Sequence, residues 1–381
     1  MKRNNELVAW LMANQDCDLI NLVIGQRGSG KSQTLMECLR FLEMAGVPPG
    51  NIVHMDFDDP ALRHFRSGEQ VAAAILDRTE SCQGVCYAFL DEVAHVMRFE
   101  KIFEALETSG RRFEICASAS SRRLLSDDLC AKFKGRFRMV EYRPSTYYEW
   151  SASAKSHANV KNYLSRDAHS LRWNAALVRD VLGDRLAEAS LMEGIVGHFY
   201  DTLGEVQSLR KIASAVAPGR SLSANTVETY VRRLENAFIV ERASRWDLNN
   251  GVKLKTGDHF YFLDPALPYG RFGKGNDMAL LRNLVWQELR SRYSEVLVGR
   301  VGLRGVDFFV REGGTCSYWQ TATADDVRSD ESRERLPALF QRLPEVANRF
   351  VVTYDQPPID EEDGIRYVGL DSLAEVVRTL N

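Results

Sequence analysis

The sequence has no apolar run that approaches the ~20 residues needed by a membrane-spanning helix. Its first twelve residues, M-K-R-N-N-E-L-V-A-W-L-M, contain an apolar stretch that is too short for a signal peptide. The seven cysteines form no C-x-x-C pair and lie near no histidine cluster, which argues against zinc and favours reduced, buried thiols. We therefore expect a cytoplasmic protein without a membrane segment.

Neither sign of charge dominates, since 49 basic residues face 52 acidic ones and the net charge is −3. This balance excludes a wholly basic nucleic-acid binder and leaves room for a local basic face. A chain of 381 residues is too long for one hydrophobic core, so we expect two or three domains.

Residues 25–32 read G-Q-R-G-S-G-K-S, which fits the phosphate-loop pattern G-x-x-x-x-G-K-[ST]. An apolar run at 19–24 predicts a buried strand before the loop, and residues 31–45 have the apolar spacing of a helix. A strand, a glycine loop and a helix N-terminus form a site for anions, which a chance glycine turn would lack. The predicted nucleotide-binding residues are Gly25, Gln26, Arg27, Gly28, Ser29, Gly30, Lys31, Ser32 and Gln33.

A second apolar run, residues 85–90, ends in Asp91 and Glu92. Downstream of a phosphate loop, such a pair is typical of nucleotide hydrolysis, provided that both acids lie at the carboxyl edge of a parallel sheet. We expect Asp91 and Ser32 to hold Mg²⁺, Lys31 to reach the β- and γ-phosphates, and Glu92 to polarise the attacking water.

The strand predicted at residues 112–118 ends in a turn rich in serine and arginine. Ser118 or Ser120 would contact the γ-phosphate or the attacking water, and plain turn chemistry is an equal alternative. The alternation of strands and helices over the first 145 residues predicts a doubly wound α/β domain with a parallel sheet.

These residues resemble the bacterial and archaeal AAA+-type P-loop ATPases that carry a C-terminal nuclease-like domain of uncharacterised function. The resemblance covers the loop at 25–32, D-F-D-D-P at 56–60, F-L-D-E at 89–92, S-A-S-S-R-R-L-L-S at 118–126, and G-R at 135–136 with Y-R-P-S at 142–145. It implies ATP with Mg²⁺, Ser118 as a sensor and Arg136 as an arginine finger from a neighbouring subunit. Ala119 departs from the glycine that the family usually has at this position.

A helix, a turn, a second helix and a strand are predicted between residues 207 and 245, which is a winged-helix pattern. The segment N-T-V-E-T-Y-V-R-R-L-E-N-A-F-I-V at 225–240 resembles the corresponding part of the family. The two interpretations are DNA contact through Arg220, Arg232 and Arg233, or a helical lid. Glu228 and Glu235 interrupt the basic stripe that DNA contact favours.

The last part of the chain has a predicted α-β-β-β-α-β order, with helices at 276–293 and 330–343, and resembles a restriction-endonuclease-like fold. Such nucleases need a cage of carboxylates and a lysine. Here Asp307 supplies one acid, Gln320 and Ala322 stand at the positions of the second acid and the lysine, and Arg282 replaces a helical glutamate. Hard cations prefer several anionic oxygens, so we expect a nuclease-like fold without nuclease activity.

We therefore expect a P-loop AAA+-type ATPase domain at 1–148, a helical linker and winged helix at 149–255, and a degenerate nuclease-like domain at 256–381. ATP hydrolysis would drive rearrangement of the last two domains, with DNA, a protein partner and a homo-oligomer left open. The alternative is a nucleotide-gated switch that binds a protein partner with little turnover. The absence of an N-K-x-D guanine element agrees with the family's preference for ATP.

Overall fold

The computed structural model describes residues 20–122, 133, 136–154, 159–166, 173, 175–182, 185–219, 221–255, 257–302, 304–312, 315–328, 337–341, 343 and 347–380. The chain divides into two compact units. The first unit comprises Met1–Pro144 with Asn236–Phe238, and the second comprises Ser145–Glu235 with Ile239–Asn381. None of the described helices is both long enough and apolar enough to cross a membrane.

The described part of the first unit is a parallel sheet with helices. Its strands are β1 (Ile20–Gly25), β2 (Ile52–Asp56), β3 (Val85–Asp91), β4 (Arg112–Ala119) and β5 (Phe137–Tyr142). Its helices are α1 (Lys31–Met44), α2 (Gly68–Arg78) and α3 (Glu100–Thr108). The strand order is β2-β3-β4-β1-β5 and all neighbouring pairs are parallel. The predicted α/β class of this unit is confirmed.

The burial of the strand residues agrees with this strand order. Every residue of β1 is buried, as expected for a central parallel strand covered on both faces. Leu35, Cys38 and Leu42 lie on one face of α1 and pack with Val23 and Phe89 of the sheet. The strand that continues from α3, β4, lies between β1 and β3. The carboxyl ends of β1, which precedes the phosphate loop, of β3, which ends at Asp91, and of β4, which contains Ser118, therefore meet at one edge of the sheet.

One expectation about the cysteines is wrong. Cys82 and Cys86 form a disulfide in the turn that leads into β3, where reduced thiols were expected. The turn brings their Cα atoms to 6.6 Å, within the range that a disulfide spans. This proximity depends on the turn between α2 and β3, so the sequence spacing alone does not reveal it. Cys38 and Cys116 are buried free thiols, as expected.

The second unit combines helices with two antiparallel or mixed sheets. Its described helices are α4 (Tyr147–Ala154), α5 (Val160–Ser165), a π-helical segment (Ala175–Leu182), α6 (Ala189–Asp201), α7 (Leu209–Val216), α8 (Ala224–Asn236), α9 (Ala266–Phe272), α10 (Asp277–Arg292), α11 (Ala324–Arg328) and α12 (Leu373–Thr379). Its described strands are β6 (Val240–Ala243), β7 (Arg245–Asp247), β8 (Val252–Lys253), β9 (His259–Phe262), β10 (Leu297–Val301), β11 (Arg304–Glu312), β12 (Thr315–Thr321), β13 (Asn348–Thr353), β14 (Glu361–Glu362) and β15 (Ile365–Gly369).

The larger sheet of the second unit has the order β14-β15-β13-β12-β11-β10-β7-β8, and β6 pairs with β9 in a separate two-stranded sheet. The elements α10, β10, β11, β12 and β13 follow one another in the predicted order, and the short helix α11 lies before the position of the second predicted helix. Most of the helix predicted at 330–343 lies outside the described residues. The strands β7 and β8 come from the predicted 149–255 segment and join the sheet of the 256–381 segment. The three domain boundaries stay a prediction, as do the winged-helix and nuclease-like assignments.

Candidate nucleotide-binding site

The loop after β1 needs glycine at its first position. Gly25 has φ +153°, and a Cβ atom there would lie 2.0 Å from the backbone oxygen of Tyr142 on β5. Gly28 and Gly30 also have positive φ, at 79° and 100°, which L side chains rarely adopt. The Ser29 amide donates to Gln26 O at 3.1 Å and closes the turn before α1 begins. The predicted glycine positions therefore have the backbone geometry of a compact loop at a helix N-terminus.

Several polar atoms in this loop have no protein partner within the described part of the chain. The Gln26 side chain is fully buried, and neither its amide nitrogen nor its oxygen has such a partner. The Ser29 hydroxyl is in the same situation. Buried polar groups are normally satisfied, so orphaned groups in a loop of this shape fit a ligand that brings its own polar oxygens. The residues present therefore fit a nucleotide phosphate chain.

Ser32 and Gln33 lie in the first turn of α1 and are exposed. Gln33 Nε2 donates to Glu37 Oε1 at 2.9 Å, so this side chain lies along the helix surface. The Arg27 side chain forms an ion pair with Asp58 in the loop after β2. The structure therefore brings Arg27 into contact with the D-F-D-D-P segment and turns Gln33 towards its own helix.

Lys31 is buried, with only 3% of its side chain exposed, and its ammonium lies at the centre of the site. Nζ donates to the backbone oxygens of Gly25 at 2.9 Å and Gln26 at 3.2 Å. It also donates to Ser120 Oγ at 2.8 Å and lies 3.4 Å from Glu92 Oε1. The ammonium therefore connects the loop after β1 to the ends of β3 and β4.

The two predicted acids lie where β3 ends, next to the end of β4. Ser118 Oγ donates to the Asp91 carboxylate and accepts the Glu92 backbone N–H at 3.1 Å. Glu92 has φ 52°, in the left-handed region, which is uncommon for a residue other than glycine. All three residues are buried. The Ser118 hydroxyl therefore fixes the Asp91 side chain and the Glu92 backbone at this turn.

The Glu92 carboxylate accepts hydrogen bonds from the Ser120 amide, at 2.9 Å, and from the Ser120 hydroxyl. Burial alone would raise the pKa of Glu92, but the Lys31 ammonium and the Ser120 hydrogen bonds outweigh it and hold the pKa below its ordinary value. Glu92 is therefore held as a carboxylate. The sequence analysis names Ser118 and leaves Ser120 as an alternative, and the structure brings both together with the acids.

A family model matches the segment that contains the phosphate loop, β3 and β4. Residues 18–151 match the AAA domain. The match spans the described sheet of the first unit and supports nucleotide binding.

Three further comparisons concern larger parts of the chain. An uncharacterized protein of Haemophilus influenzae is 24% identical over 338 residues, covering 82% of this chain and 84% of that protein. A Walker-type ATPase of Pyrococcus abyssi is 14% identical, covers 70% of this chain and 93% of its own, and gives a TM-score of 0.39. The RuvB Holliday junction branch migration motor of Thermotoga maritima is 16% identical. The similarity covers 64% of this chain and 88% of that protein, with a TM-score of 0.35. Similarities at these TM-scores carry no weight for function.

Arg136 lies far from the phosphate loop of its own chain. Its backbone oxygen accepts the Ile20 amide at 2.9 Å, which places it at the amino end of β1, whereas the loop begins at the carboxyl end. The rise of a strand separates these ends by about 17 Å. Its side chain is half exposed and pairs with Glu107 at 3.1 Å. Arg136 therefore cannot contact a nucleotide in its own loop, and its role as a finger in a neighbouring subunit stays a prediction.

In the second unit, the structure brings together the positions that were predicted to form a degenerate metal cage. Arg282 Nε donates to Asp307 Oδ1 at 3.1 Å. The other oxygen, Oδ2, accepts from Gln320 Nε2 at 3.1 Å and from the backbone and hydroxyl of Thr321, at 2.8 and 2.6 Å. Ala322 is buried. Within the described residues, no three His, Cys, Asp or Glu side chains converge to hold a metal ion.

The arginines predicted to contact DNA are largely neutralised. Arg232 is exposed, and its Nε donates to Glu228 at 3.0 Å. Arg233 is mostly buried and pairs with Glu188. Arg220 lies outside the described residues. Acidic partners thus offset both described arginines, and DNA contact by these residues stays a prediction.

Proposed function

We propose that the first unit binds ATP and hydrolyses it with Mg²⁺. The observation that carries the proposal is the position of Lys31 Nζ, which contacts the loop carbonyls on one side and Ser120 and Glu92 on the other. This arrangement sits where the parallel strands β1, β3 and β4 end, the usual ligand edge of such a sheet. The AAA domain match over residues 18–151 supports it independently.

The loop amides and Lys31 would bind the phosphates, and Ser32 and Asp91 would hold the magnesium ion. Bound there, the ion would neutralise charge that develops on the phosphate oxygens. Glu92, held as a carboxylate, would accept a proton from the attacking water. Ser118 fixes Asp91, and Ser120 orients the Glu92 carboxylate.

We further propose that hydrolysis drives a rearrangement of the second unit, with DNA or a protein as the partner and Arg136 acting across a subunit interface. The second unit itself would not cut DNA. Its single candidate acid, Asp307, is engaged by Arg282, Gln320 and Thr321, which supports a structural role for that cluster.

The alternative is a nucleotide-gated switch with little turnover. The ion pair between Lys31 and Glu92 favours the switch, because a carboxylate that is bound to Lys31 and Ser120 does not bind the attacking water. The two functions differ in the rate of phosphate release and agree on ATP binding.

The test is phosphate release from ATP by the purified protein with Mg²⁺, alone and with duplex or single-stranded DNA. Lys31→Ala and Glu92→Gln serve as inactive variants, and Lys101→Ala, which removes an outer lysine paired with Glu104, is the matched control. Turnover that both inactive variants abolish and the control retains supports hydrolysis. ATP binding without turnover supports the switch, and absence of ATP binding contradicts both functions.

A further inference from the structure

A bridge of charged side chains connects the phosphate loop to the turn that carries Glu92. Arg27, in the loop, forms an ion pair with one carboxylate oxygen of Asp58. His95 Nδ1 lies 3.2 Å from the other oxygen. Asp58 therefore contacts both the Arg27 guanidinium, in the loop after β1, and the His95 imidazole, in the turn after β3. The three side chains are 15%, 21% and 31% exposed, so this bridge is partly shielded from solvent.

His95 is tied to Glu92 through the backbone. Val93–His95 forms a single 3₁₀ turn, and the His95 amide donates to Glu92 O at 3.0 Å. Glu92 at the start of this turn has a left-handed backbone, which costs free energy and persists only where the surroundings hold it. Asp58 is itself fixed, because its amide donates to Asp56 Oδ1 at 2.9 Å. His95 and Glu92 are therefore joined by a backbone hydrogen bond within one turn.

We propose that His95 is a positioning residue that, through Asp58 and Arg27, holds the Glu92 turn in place beside the phosphate loop. The inference rests on the proposed ATP hydrolysis. His95 contacts no reacting atom and acts through Asp58. Its effect falls on the placement of the carboxylate, so it should change kcat more than KM for ATP.

The charged groups that face His95 within the described residues are Asp58 from the loop after β2, Arg27 from the phosphate loop, and Glu92 on its own segment. The hydrogen bond to Asp58 raises the pKa of His95 above 6.5, burial opposes it, and the charge of Glu92 adds to the rise. Because the pKa is raised in the folded protein, the positioning effect is complete below pH 6.5. It is lost as the pH rises through the raised pKa.

The experiment measures kcat and KM for ATP hydrolysis between pH 5.5 and 9 in the full chain. His95→Gln removes the titrating cation, and His95→Arg keeps a permanent one. His64→Gln is the matched control, because His64 is an exposed histidine of the same unit that contacts Ala61 O. We expect His95→Gln to lower kcat about tenfold near pH 6 and His95→Arg to keep its kcat at high pH, where wild type loses it. His64→Gln should follow wild type.

A His95→Gln variant with the kcat and pH profile of wild type would overturn the inference. Titration of the imidazoles by NMR in the ATP-free protein separates this failure from a failure of the proposed hydrolysis. A His95 pKa above 6.5, lowered by Asp58→Asn, supports the bridge even if no phosphate is released. A His95 pKa that Asp58→Asn leaves unchanged overturns the inference at any rate of hydrolysis.

Discussion

Lys31 Nζ and Glu92 Oε1 lie 3.4 Å apart, and both side chains are almost wholly buried. The proposed mechanism needs this lysine for the phosphates and this glutamate for water. A phosphate that takes the Lys31 ammonium therefore competes with the Glu92 carboxylate. Nucleotide binding and release of the proposed general base are linked through one cation.

Ser120→Ala should shift the acid limb of the pH–rate profile to higher pH. The Ser120 hydroxyl donates to the Glu92 carboxylate and lowers its pKa, so its loss lets that pKa rise. In the variant, the Glu92 carboxylate then becomes protonated at a higher pH than in wild type, and activity falls with it. Ser118→Ala is the control, because Ser118 contacts Asp91 and the Glu92 amide but not the Glu92 carboxylate. The same acid limb in both variants would contradict the assignment of Ser120.

Gly25→Ala should destabilise the first unit by about 2 to 4 kcal/mol. The new Cβ would meet Tyr142 O at 2.0 Å, a backbone atom of β5 that can move only with its strand. Gly50→Ala is the control, since no atom lies within 4 Å of a Cβ there, and its change should stay within about 0.5 kcal/mol. Thermal unfolding followed by circular dichroism compares the two. Equal melting temperatures would show that the loop does not pack against β5 as described.

The Arg282–Asp307 pair should stabilise the second unit as a coupled pair. A double-mutant cycle with Arg282→Gln and Asp307→Asn in urea unfolding should give a coupling of about 1 to 3 kcal/mol, because both groups are partly buried and hydrogen-bonded. The exposed pair Lys274–Asp277 is the control and should give less than about 0.5 kcal/mol.

Manganese provides a second check of the same cluster. The Arg282 guanidinium already neutralises Asp307, so Mn²⁺ should leave the melting temperature of the second unit unchanged. An increase with Mn²⁺ that Asp307→Asn abolishes would contradict the structural role and point to a working metal site.

The second unit should lose stability in mild acid through His259. Burial, together with a smaller effect of the nearby Arg245 charge, lowers the pKa of this histidine to about 4. Because the folded state disfavours the imidazolium, unfolding becomes easier as the pH falls from 6.5 towards 4. The loss should approach about 3 kcal/mol at the lower pH. His259→Gln should remove this pH dependence, and a variant that keeps it would assign the acid sensitivity to other groups.

Local motifs explain how much of the first unit is predictable. The phosphate loop and the Asp91–Glu92 pair depend on residues close together in sequence, and their flanking apolar runs predict the strands. Ser120 was harder, because its role depends on β4 lying between β1 and β3, which strand pairing decides. Arg136 shows the same limit, since only the register with Ile20 places it at the opposite edge.

In the second unit, the sequence predicts which residues replace the metal cage but not what they do. The approach of Arg282 to Asp307 depends on how α10 packs beside β11, a contact between distant parts of the chain. In the first unit, the disulfide between Cys82 and Cys86 likewise depends on a turn that the spacing does not define. Contacts of this kind require the tertiary structure.

The most direct test of the account is ATP binding and phosphate release by Glu92→Gln. Removing the carboxylate frees Lys31 for phosphate, so the variant should bind ATP severalfold more tightly than wild type. It should also release phosphate about 10²- to 10⁴-fold more slowly, because the proposed base is lost. Glu80→Gln, a change at an exposed glutamate, is the control. Weaker ATP binding by Glu92→Gln, or turnover equal to that of wild type, would contradict the competition between Glu92 and phosphate for Lys31.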